Sequence, residues 1–312
     1  MTPSFRFSGH ETFPCRYAWL PKAIGVITES PDLFVDDQKA MVELGLGKNM
    51  VRATRFWVQA SGMAIVDKKA GGYRVTDLGQ QILGRKGHDP FLEDLRTLWL
   101  IHWQLSTHVE EPLFAWDFLL NRWPHPELSK SAAMKAFRNE ANRIERDREL
   151  SDVTLEQHFD TFLHTYVPTR SRKGEIQEDN LDCPLVELRL LEVVGEKRAD
   201  GAGRHETVYA FRRELKPEIC PDLFLFCVED FWKRRRPTEQ TLSFRDIAVA
   251  PGGPGQVLKL TEADVRERLE QIQSDSGGTY SYKETTTVQQ MSRKEAIGTK
   301  LLLNRIYRKE PD

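Results

Sequence analysis

The sequence predicts an α+β protein that is predominantly helical, with an N-terminal winged helix-turn-helix. Apolar residues recur at helical spacing in most segments, and a basic helix follows a glycine-containing break near position 45. A strand, a lysine-bearing tip and a returning strand come directly after that helix. We expect three parts: a winged helix-turn-helix domain at 1–88, an aromatic-rich helical region at 89–170, and an α+β C-terminal domain with a second winged-helix-like unit at 171–312.

Composition does not reveal a partner, because the charges of the whole chain nearly cancel. Lysine and arginine (45) are balanced by aspartate and glutamate (47), and apolar residues make up 39% of the 312 residues. That apolar share is enough for ordinary globular cores, and the near-neutral balance gives no overall sign of a nucleic-acid partner. Any such partner must therefore be found from local charge.

The four cysteines and the hydropathy pattern indicate a cytoplasmic protein without a membrane partner. The cysteines are scattered and form no CxxC pair, which favours buried free thiols over a metal site or disulfides. They are Cys15, Cys183, Cys220 and Cys227. No apolar run approaches the ~20 residues that a membrane span needs, and the first residues lack the apolar core of a signal peptide.

The helix-turn-helix is predicted from its caps and its turn. Asp36 and Asp37 are good N-cap residues for a helix that runs through Leu44. Residues 45–47 (Gly-Leu-Gly) follow as a tight turn, because glycine adopts positive φ at little cost. The next helix is expected over residues 48–61.

One face of this second helix carries four long polar side chains, three of them cationic, within a stripe about 60° wide. They are Lys48, Arg52, Arg55 and Gln59, with Asn49 at the edge of the stripe. The opposite face is apolar and can anchor the helix to its own domain. This arrangement is typical of a recognition helix in the major groove, so double-stranded DNA is the expected partner.

A basic hairpin is expected after that helix. Residues 64–66 and 73–75 read as its two strands, with Lys68 and Lys69 at the tip, and Thr76 caps a following helix. Residues 36–86 hold nine basic and five acidic side chains, a local excess of +4. We expect DNA contacts from the stripe and from both lysines. A merely solvated basic face and a winged helix used for protein contacts remain alternatives.

The middle and the C-terminal half carry weaker signals. An aromatic stripe through Trp99 and Trp103 predicts a packed core rather than a base-stacking platform, with His102 as a hydrogen-bonded core histidine. A strand pair at 190–212 suggests the second winged-helix-like unit. The tetrabasic run 233–236 ends a helix, where it either complements the helix dipole or contacts DNA.

Two acidic clusters are the candidates for chemistry. No Walker, HExxH, GxSxG or zinc-finger pattern is present. A nuclease needs carboxylates for a divalent ion and a base near the phosphorus. His10 and Glu11 in one cluster, and Glu178 and Asp179 in the other, are the catalytic candidates, with Mg²⁺ or Mn²⁺ as the cofactor. The metal ligands themselves stay unassigned, and carboxylates that only cap helices are the alternative.

Four stretches resemble one known family. They are 7–13 (FSGHETF) with Arg16, Trp19 and Leu20; 44–51 (LGLGKNMV) with Trp57; 92–94 (LED) with 97–103 (TLWLIHW); and 182–185 (DCPL). The chain is similar to the SspB family, the DNA-nicking component of the bacterial Ssp phosphorothioation systems of phage defence. The resemblance spans residues 5 to at least 260.

This resemblance implies a protein that nicks DNA so that sulfur can replace a backbone oxygen. It further implies that the protein acts together with a cysteine desulfurase, a sulfurtransferase and an ATPase. The resemblance does not identify catalytic residues in this sequence. The leading hypothesis is a DNA-nicking endonuclease, a hydrolase of phosphodiester bonds. A non-catalytic DNA-binding adaptor and a winged-helix transcriptional regulator are the alternatives.

Overall fold

The protein is α+β and predominantly helical, as predicted. The computed structural model describes residues 4–144, 150–168, 183–198 and 205–308. The helices are α1 (Trp19–Glu29), α2 (Asp37–Leu44), α3 (Lys48–Ala60), α4 (Asp77–Leu83), α5 (Leu95–Ser106), α6 (Phe114–Asn121), α7 (Lys130–Ile144), α8 (Asp152–Tyr166), a 3-10 helix (Pro184–Leu188), α9 (Pro221–Arg235), α10 (Phe244–Ala248), α11 (Pro254–Val257), α12 (Glu262–Asp275) and α13 (Thr299–Ile306). The strands are β1 (Ala64–Asp67), β2 (Gly72–Val75), β3 (Glu127–Ser129), β4 (Leu191–Arg198), β5 (His205–Phe211), β6 (Thr241–Ser243), β7 (Tyr280–Glu284) and β8 (Gln289–Arg293).

Local signals shape the elements between α2 and α4. The Asp36 carboxylate accepts a hydrogen bond from the backbone N–H of Gln38 at 2.8 Å, which caps α2. Gly45 adopts φ 63° and ψ 36°, the left-handed conformation that ends α2. Thr76 caps α4 by accepting from the N–H of Gly79 at 3.0 Å. The predicted helix–turn–helix–hairpin order is confirmed at the level of these elements.

Close backbone contact holds the β1–β2 hairpin to the helices. The hairpin is a two-stranded antiparallel sheet in which Ala64 pairs with Val75. A Cβ atom on Gly79 would lie 2.1 Å from the carbonyl oxygen of Met63, so only glycine allows α4 this near β1. The N–H of Tyr73 donates to the Pro31 carbonyl at 2.7 Å, which fastens β2 to the loop after α1.

Two three-stranded antiparallel sheets lie further along the chain, with strand orders β3-β5-β4 and β6-β8-β7. In both, a strand that comes early pairs with the last strand of a later hairpin. The chain order is partly shared: α6, β3, α7, α8, a 3-10 helix and the β4–β5 hairpin, then α9, β6, α10, the short α11, α12 and the β7–β8 hairpin. The predicted boundary between 89–170 and 171–312 passes through the first of these sheets.

The aromatic stripe is core, as predicted. Trp99, Trp103 and Trp116 are buried in one continuous hydrophobic cluster. His102 is buried with them and is hydrogen-bonded at both ring nitrogens, to the Tyr166 hydroxyl at 2.7 Å and to the Val257 carbonyl at 3.0 Å. Burial lowers the pKa of His102 to about 4. The ring is therefore neutral, with its proton on Nε2, and Tyr166 donates to Nδ1.

The cysteine prediction is confirmed, because all four thiols are free and three are buried. Within the described residues, no helix combines the length and the apolar composition required to cross a membrane.

Candidate nucleic-acid interface

The outward face of α3 consists almost entirely of the predicted stripe. Seven of its thirteen residues are buried, among them Phe56 and Trp57, which anchor the helix to the body of the protein. The six that remain accessible are Lys48, Asn49, Met50, Arg52, Arg55 and Gln59. The structure thus brings together all five α3 residues that the sequence predicts as DNA contacts.

At the N-terminal half of α3, one carboxylate faces two of these cations. The Asp37 oxygen lies 3.3 Å from the Arg52 guanidinium and 4.0 Å from the Lys48 ammonium. Lys48 retains 56% side-chain exposure and Arg52 37%. Exposed ion pairs of this kind contribute little energy, so both cations remain available to phosphate.

At the C-terminal half of α3, an arginine that sequence reasoning missed joins the surface. The Arg6 guanidinium lies 4.4 Å from the centre of the Phe56 ring, a cation–π contact. Burial lowers the pKa of Arg6, and the neighbouring charge of Arg55 acts in the same direction. Gln59 donates to the Tyr73 hydroxyl at 3.3 Å beside it.

The only signal for Arg6 was its alternation with two phenylalanines, which predicts a strand and not a ligand. Arg6 does lie in an extended segment, where it forms a bridge with Leu113. Its own N–H donates to the Pro112 carbonyl at 3.0 Å, and its carbonyl accepts from Phe114 at 3.1 Å. The position of Arg6 beside α3 therefore depends on a contact with residues more than a hundred positions away.

The hairpin tip extends the basic surface. Lys68 and Lys69 are exposed, and neither side chain forms an ion pair with any part of the chain that the structure describes. The Asp67 carboxylate accepts from the N–H groups of Lys69 and Ala70 at 3.0 and 3.1 Å, which fixes the turn. Both lysines are thus presented to solvent on an ordered tip.

His10 occupies a buried position between α3 and α8. Its Nε2 lies 3.1 Å from Nδ1 of His158, its Nδ1 accepts from the N–H of Thr12 at 3.1 Å, and the ring is 3% exposed. The ring also meets Phe56 edge to face at 5.6 Å. Burial lowers the pKa of His10 to about 4, and the charge of Arg6 adds to that effect. The imidazole is neutral and joins two helices instead of facing solvent.

The end of segment 7–13, directly after His10, forms a strained turn. Glu11 and Thr12 both have positive φ, 49° and 64°, which costs a non-glycine residue on the order of 1 kcal/mol or more. Trp57 of α3 holds the turn by donating to the Phe13 carbonyl at 2.9 Å. The Glu11 side chain is partly exposed and forms no hydrogen bond or ion pair with the described residues.

The other two catalytic candidates, Glu178 and Asp179, lie outside the described residues. Among residues 4–144, 150–168, 183–198 and 205–308, no group of three or more His, Cys, Asp or Glu side chains could hold a metal ion. The described part of the chain alone therefore does not fit a Mg²⁺ or Mn²⁺ site.

Two of the four residues in the tetrabasic run at the end of α9 form ion pairs within the described part of the protein. Arg234 pairs with Asp230 at 2.9 Å and donates to the Gln104 side chain at 2.8 Å. Arg236 pairs with Asp246 at 3.1 Å. These contacts support the interpretation that the run ends a helix and ties α9 to its neighbours.

Comparison with known protein families assigns the chain to one of them. A family model described as a protein of unknown function (DUF4007) matches residues 7–307. The chain belongs to the DUF4007 family. No curated protein sequence matches it.

Two crystal structures of SspB resemble this DUF4007 protein over nearly its full length. A magnesium-bound SspB is 26% identical, with a TM-score of 0.79 and coverage of 93% of this chain and 84% of SspB. A second SspB structure is 24% identical, with a TM-score of 0.81 and coverage of 98% and 87%. The resemblance to SspB that the sequence predicts is confirmed.

Proposed function

We propose that this protein is the DNA-binding and DNA-nicking component of a bacterial DNA phosphorothioation system that acts in phage defence. The observation that carries the proposal is the outward face of α3, which offers cations and amides and almost nothing else. It lies on a chain that resembles SspB over 93% of its length. A sulfurtransferase and an ATPase of the same system are the proposed partners.

In this proposal, the elements from α2 to β2 form a winged helix-turn-helix. Helix α3 is the recognition helix, and at 1.5 Å per residue its thirteen residues extend about 20 Å, enough to lie along a major groove. Lys48 and Asn49, near its N-terminus, reach base edges, while Arg52 and Arg55 contact phosphate. The hairpin is the wing, and its lysines contact the adjacent backbone.

The test of this interface is duplex affinity measured across salt concentrations. The double substitution Arg52→Gln and Arg55→Gln should weaken duplex binding and lower the salt slope by about 1.8, roughly 0.9 for each lost phosphate contact. Arg266→Gln on α12 is the matched control, since it removes an equally cationic side chain from another helix. An unchanged salt slope in the double variant would contradict the docking.

Nicking is the second part of the proposal. The similar SspB structure binds magnesium, and Glu11 offers a partly exposed carboxylate with no partner in the described regions of the chain. Glu178 and Asp179 are the further candidates for metal binding. The described residues alone do not provide a set of ligands for the ion.

The test of nicking is conversion of supercoiled plasmid to open circles with Mg²⁺ or Mn²⁺. We expect Glu178→Ala, Asp179→Ala or Glu11→Ala to abolish conversion while duplex binding stays within two-fold of wild type. His10→Gln reports separately on the buried pair through its effect on folding. Plasmid that is bound but not nicked would instead identify a DNA-binding adaptor, and a symmetric footprint on a palindromic site would identify a regulator.

A further inference from the structure

A groove of about 660 Å³ opens between the end of α6, helix α7 and strand β4. Its lining includes Phe118, Trp123, His125, Lys135, Arg143 and Lys197. A second depression of about 310 Å³ at the start of β3 shares Trp123, His125 and Lys197 with it. The two form one continuous groove, of the size that small-molecule and nucleotide sites have.

The floor of the groove is aromatic. The Trp123 ring packs edge to face against Phe118 at 6.2 Å and against His125 at 5.3 Å. The Trp123 N–H donates to the Glu127 carbonyl at 2.9 Å, which fixes the indole. Trp123 itself is nearly buried, whereas His125 is exposed, so the accessible ring of the pair is the imidazole.

The rim of the groove is cationic. Lys135 is exposed and has no ion pair within the described part of the chain. Lys197 lies 3.7 Å from Glu206 and keeps 45% side-chain exposure. Arg143 pairs with Glu140, the one carboxylate among the described residues that line the larger depression. A polyanion would find at least two cations there that are weakly engaged or free.

The groove is connected to the proposed duplex interface by a series of contacts. The Arg6 guanidinium lies 4.4 Å from the Phe56 ring of α3, and the preceding residue, Phe5, packs against Phe114 at 5.8 Å. The Arg122 guanidinium lies 5.5 Å from the Phe5 ring and also lines the groove. These contacts bring the Arg6 segment close to Arg122 at the edge of the groove, where Arg122 also pairs with Asp117 and Glu140.

We propose that this groove binds a single-stranded segment of DNA next to the duplex held by α3. An unpaired base stacks on the exposed His125 ring, which Trp123 holds in place by an edge-to-face contact, and Lys135 and Lys197 hold the flanking phosphates. Bases in a duplex have their faces covered by their neighbours, so an aromatic floor recognises only unpaired ones. The inference rests on the proposed function, because it extends the same DNA beyond α3.

The experiment measures full-length protein against a short fluorescent oligothymidylate and, separately, a fluorescent duplex. Lys135→Gln with Lys197→Gln should weaken oligothymidylate binding about five-fold or more and lower its salt slope by about 1.4. Lys300→Gln on α13, an exposed lysine, is the matched control and should change nothing. Duplex affinity should stay within two-fold of wild type in all of these variants.

Stacking is tested on its own at His125. His125→Ala should weaken oligothymidylate binding about five-fold, whereas His125→Phe should restore it, because phenylalanine keeps the ring and loses the hydrogen-bonding nitrogens. Equal unfolding free energies of the two variants in urea would show that the difference comes from stacking on a base and not from packing against Trp123. The proposal would be overturned if His125→Ala and His125→Phe bound oligothymidylate equally well and the lysine double variant bound it as wild type does.

The two proposals fail in distinguishable ways. If α3 does not bind DNA, the Arg52 and Arg55 substitutions leave duplex affinity unchanged, and oligothymidylate binding still reports on the groove. If the groove binds an acidic protein segment instead of DNA, a fluorescent poly-glutamate peptide binds and oligothymidylate does not. Either of these last two results counts against the groove proposal alone.

Discussion

Helices α3 and α12 have the same place in the chain order, each being the last helix before a hairpin, yet their charges are opposite. Helix α3 carries three cations and no carboxylate. Helix α12 carries five carboxylates and two arginines, and both arginines are paired, Arg266 with Glu284 and Arg268 with Asp264. Helix α8, before the β4–β5 hairpin, has carboxylates and neither lysine nor arginine.

The difference teaches that topology alone does not indicate a DNA contact. All three helices precede a hairpin in the chain, with a 3-10 helix between α8 and its hairpin, but of the three only α3 presents a surface that a phosphate backbone would attract. The net charge of −2 for the whole chain conceals this, because the acidic helices offset the basic one. We expect α8 and α12 to belong to the body of the protein that supports the proposed recognition helix α3.

Charge inversion on the two helices gives the largest expected effect. Arg52→Glu with Arg55→Glu should weaken duplex binding roughly 100-fold, because two charged contacts are lost and repulsion replaces them. Glu267→Lys with Glu270→Lys on α12 should change it less than three-fold. The measurement is fluorescence anisotropy with one duplex at fixed salt.

These two double variants test whether the difference between α3 and α12 matters for DNA binding. If the α12 substitutions strengthen binding as much as the α3 substitutions weaken it, overall charge rather than the α3 surface governs the affinity. Equal stability of both variants in urea is the control for folding.

The buried His10–His158 pair, which packs against Phe56 of α3, should affect stability and not DNA binding. His158→Ala leaves His10 Nε2 and the Ala115 N–H, which donates to His158 at 3.0 Å, without their partner. We expect a loss of about 2 to 3 kcal/mol of unfolding free energy, measured by urea denaturation at pH 7.5. His205→Ala, at an exposed histidine on β5, should cost less than about 0.5 kcal/mol.

The same pair sets a pH dependence with a definite sign. Burial lowers the pKa of both His10 and His158 below the ordinary value near 6.5, that of His10 to about 4. Between pH 6.5 and 4 the unfolded chain binds more protons than the folded one, so stability falls as pH falls. His158→Ala should flatten this slope between pH 7 and 5; an unchanged slope would show that the pair does not contribute to it.

The smallest expected effect is a gain. Asp37→Asn removes the carboxylate that faces Lys48 and Arg52, so duplex affinity should rise about three-fold as one repulsion with phosphate disappears. Asp77→Asn, in the first turn of α4, is the matched control for the lost helix-dipole contact. Weaker binding by Asp37→Asn would mean that Asp37 positions Arg52 for DNA instead of competing for it.

The elements between α2 and α4 were predictable because their signals are local. Asp36 and Thr76 cap helices through contacts with residues two or three positions away, and Gly45 ends α2 by its own conformation. The polar stripe of α3 follows from helical periodicity alone. These interactions depend on neighbours in sequence, so the residue pattern encodes them directly.

The groove and the role of Arg6 were not predictable in the same way. The groove combines residues of α6, α7 and β4, which are up to 79 positions apart in sequence, Phe118 to Lys197. His10 read as a loop residue beside a glycine, and only packing against α3 and α8 buries it. No local pattern specifies which distant apolar face a short segment will meet.

By itself, the sequence determined the predominantly helical α+β class, the basic face of α3, the hairpin after it and the aromatic core around His102. The tertiary structure decided that β3 pairs with β5, that the same strand-pairing pattern recurs in a second sheet without any repeat in sequence, and that His10 and Arg6 lie against α3. The physical reason is that caps and periodicity act over a few residues, whereas strand pairing and burial depend on which surfaces meet after the chain has folded.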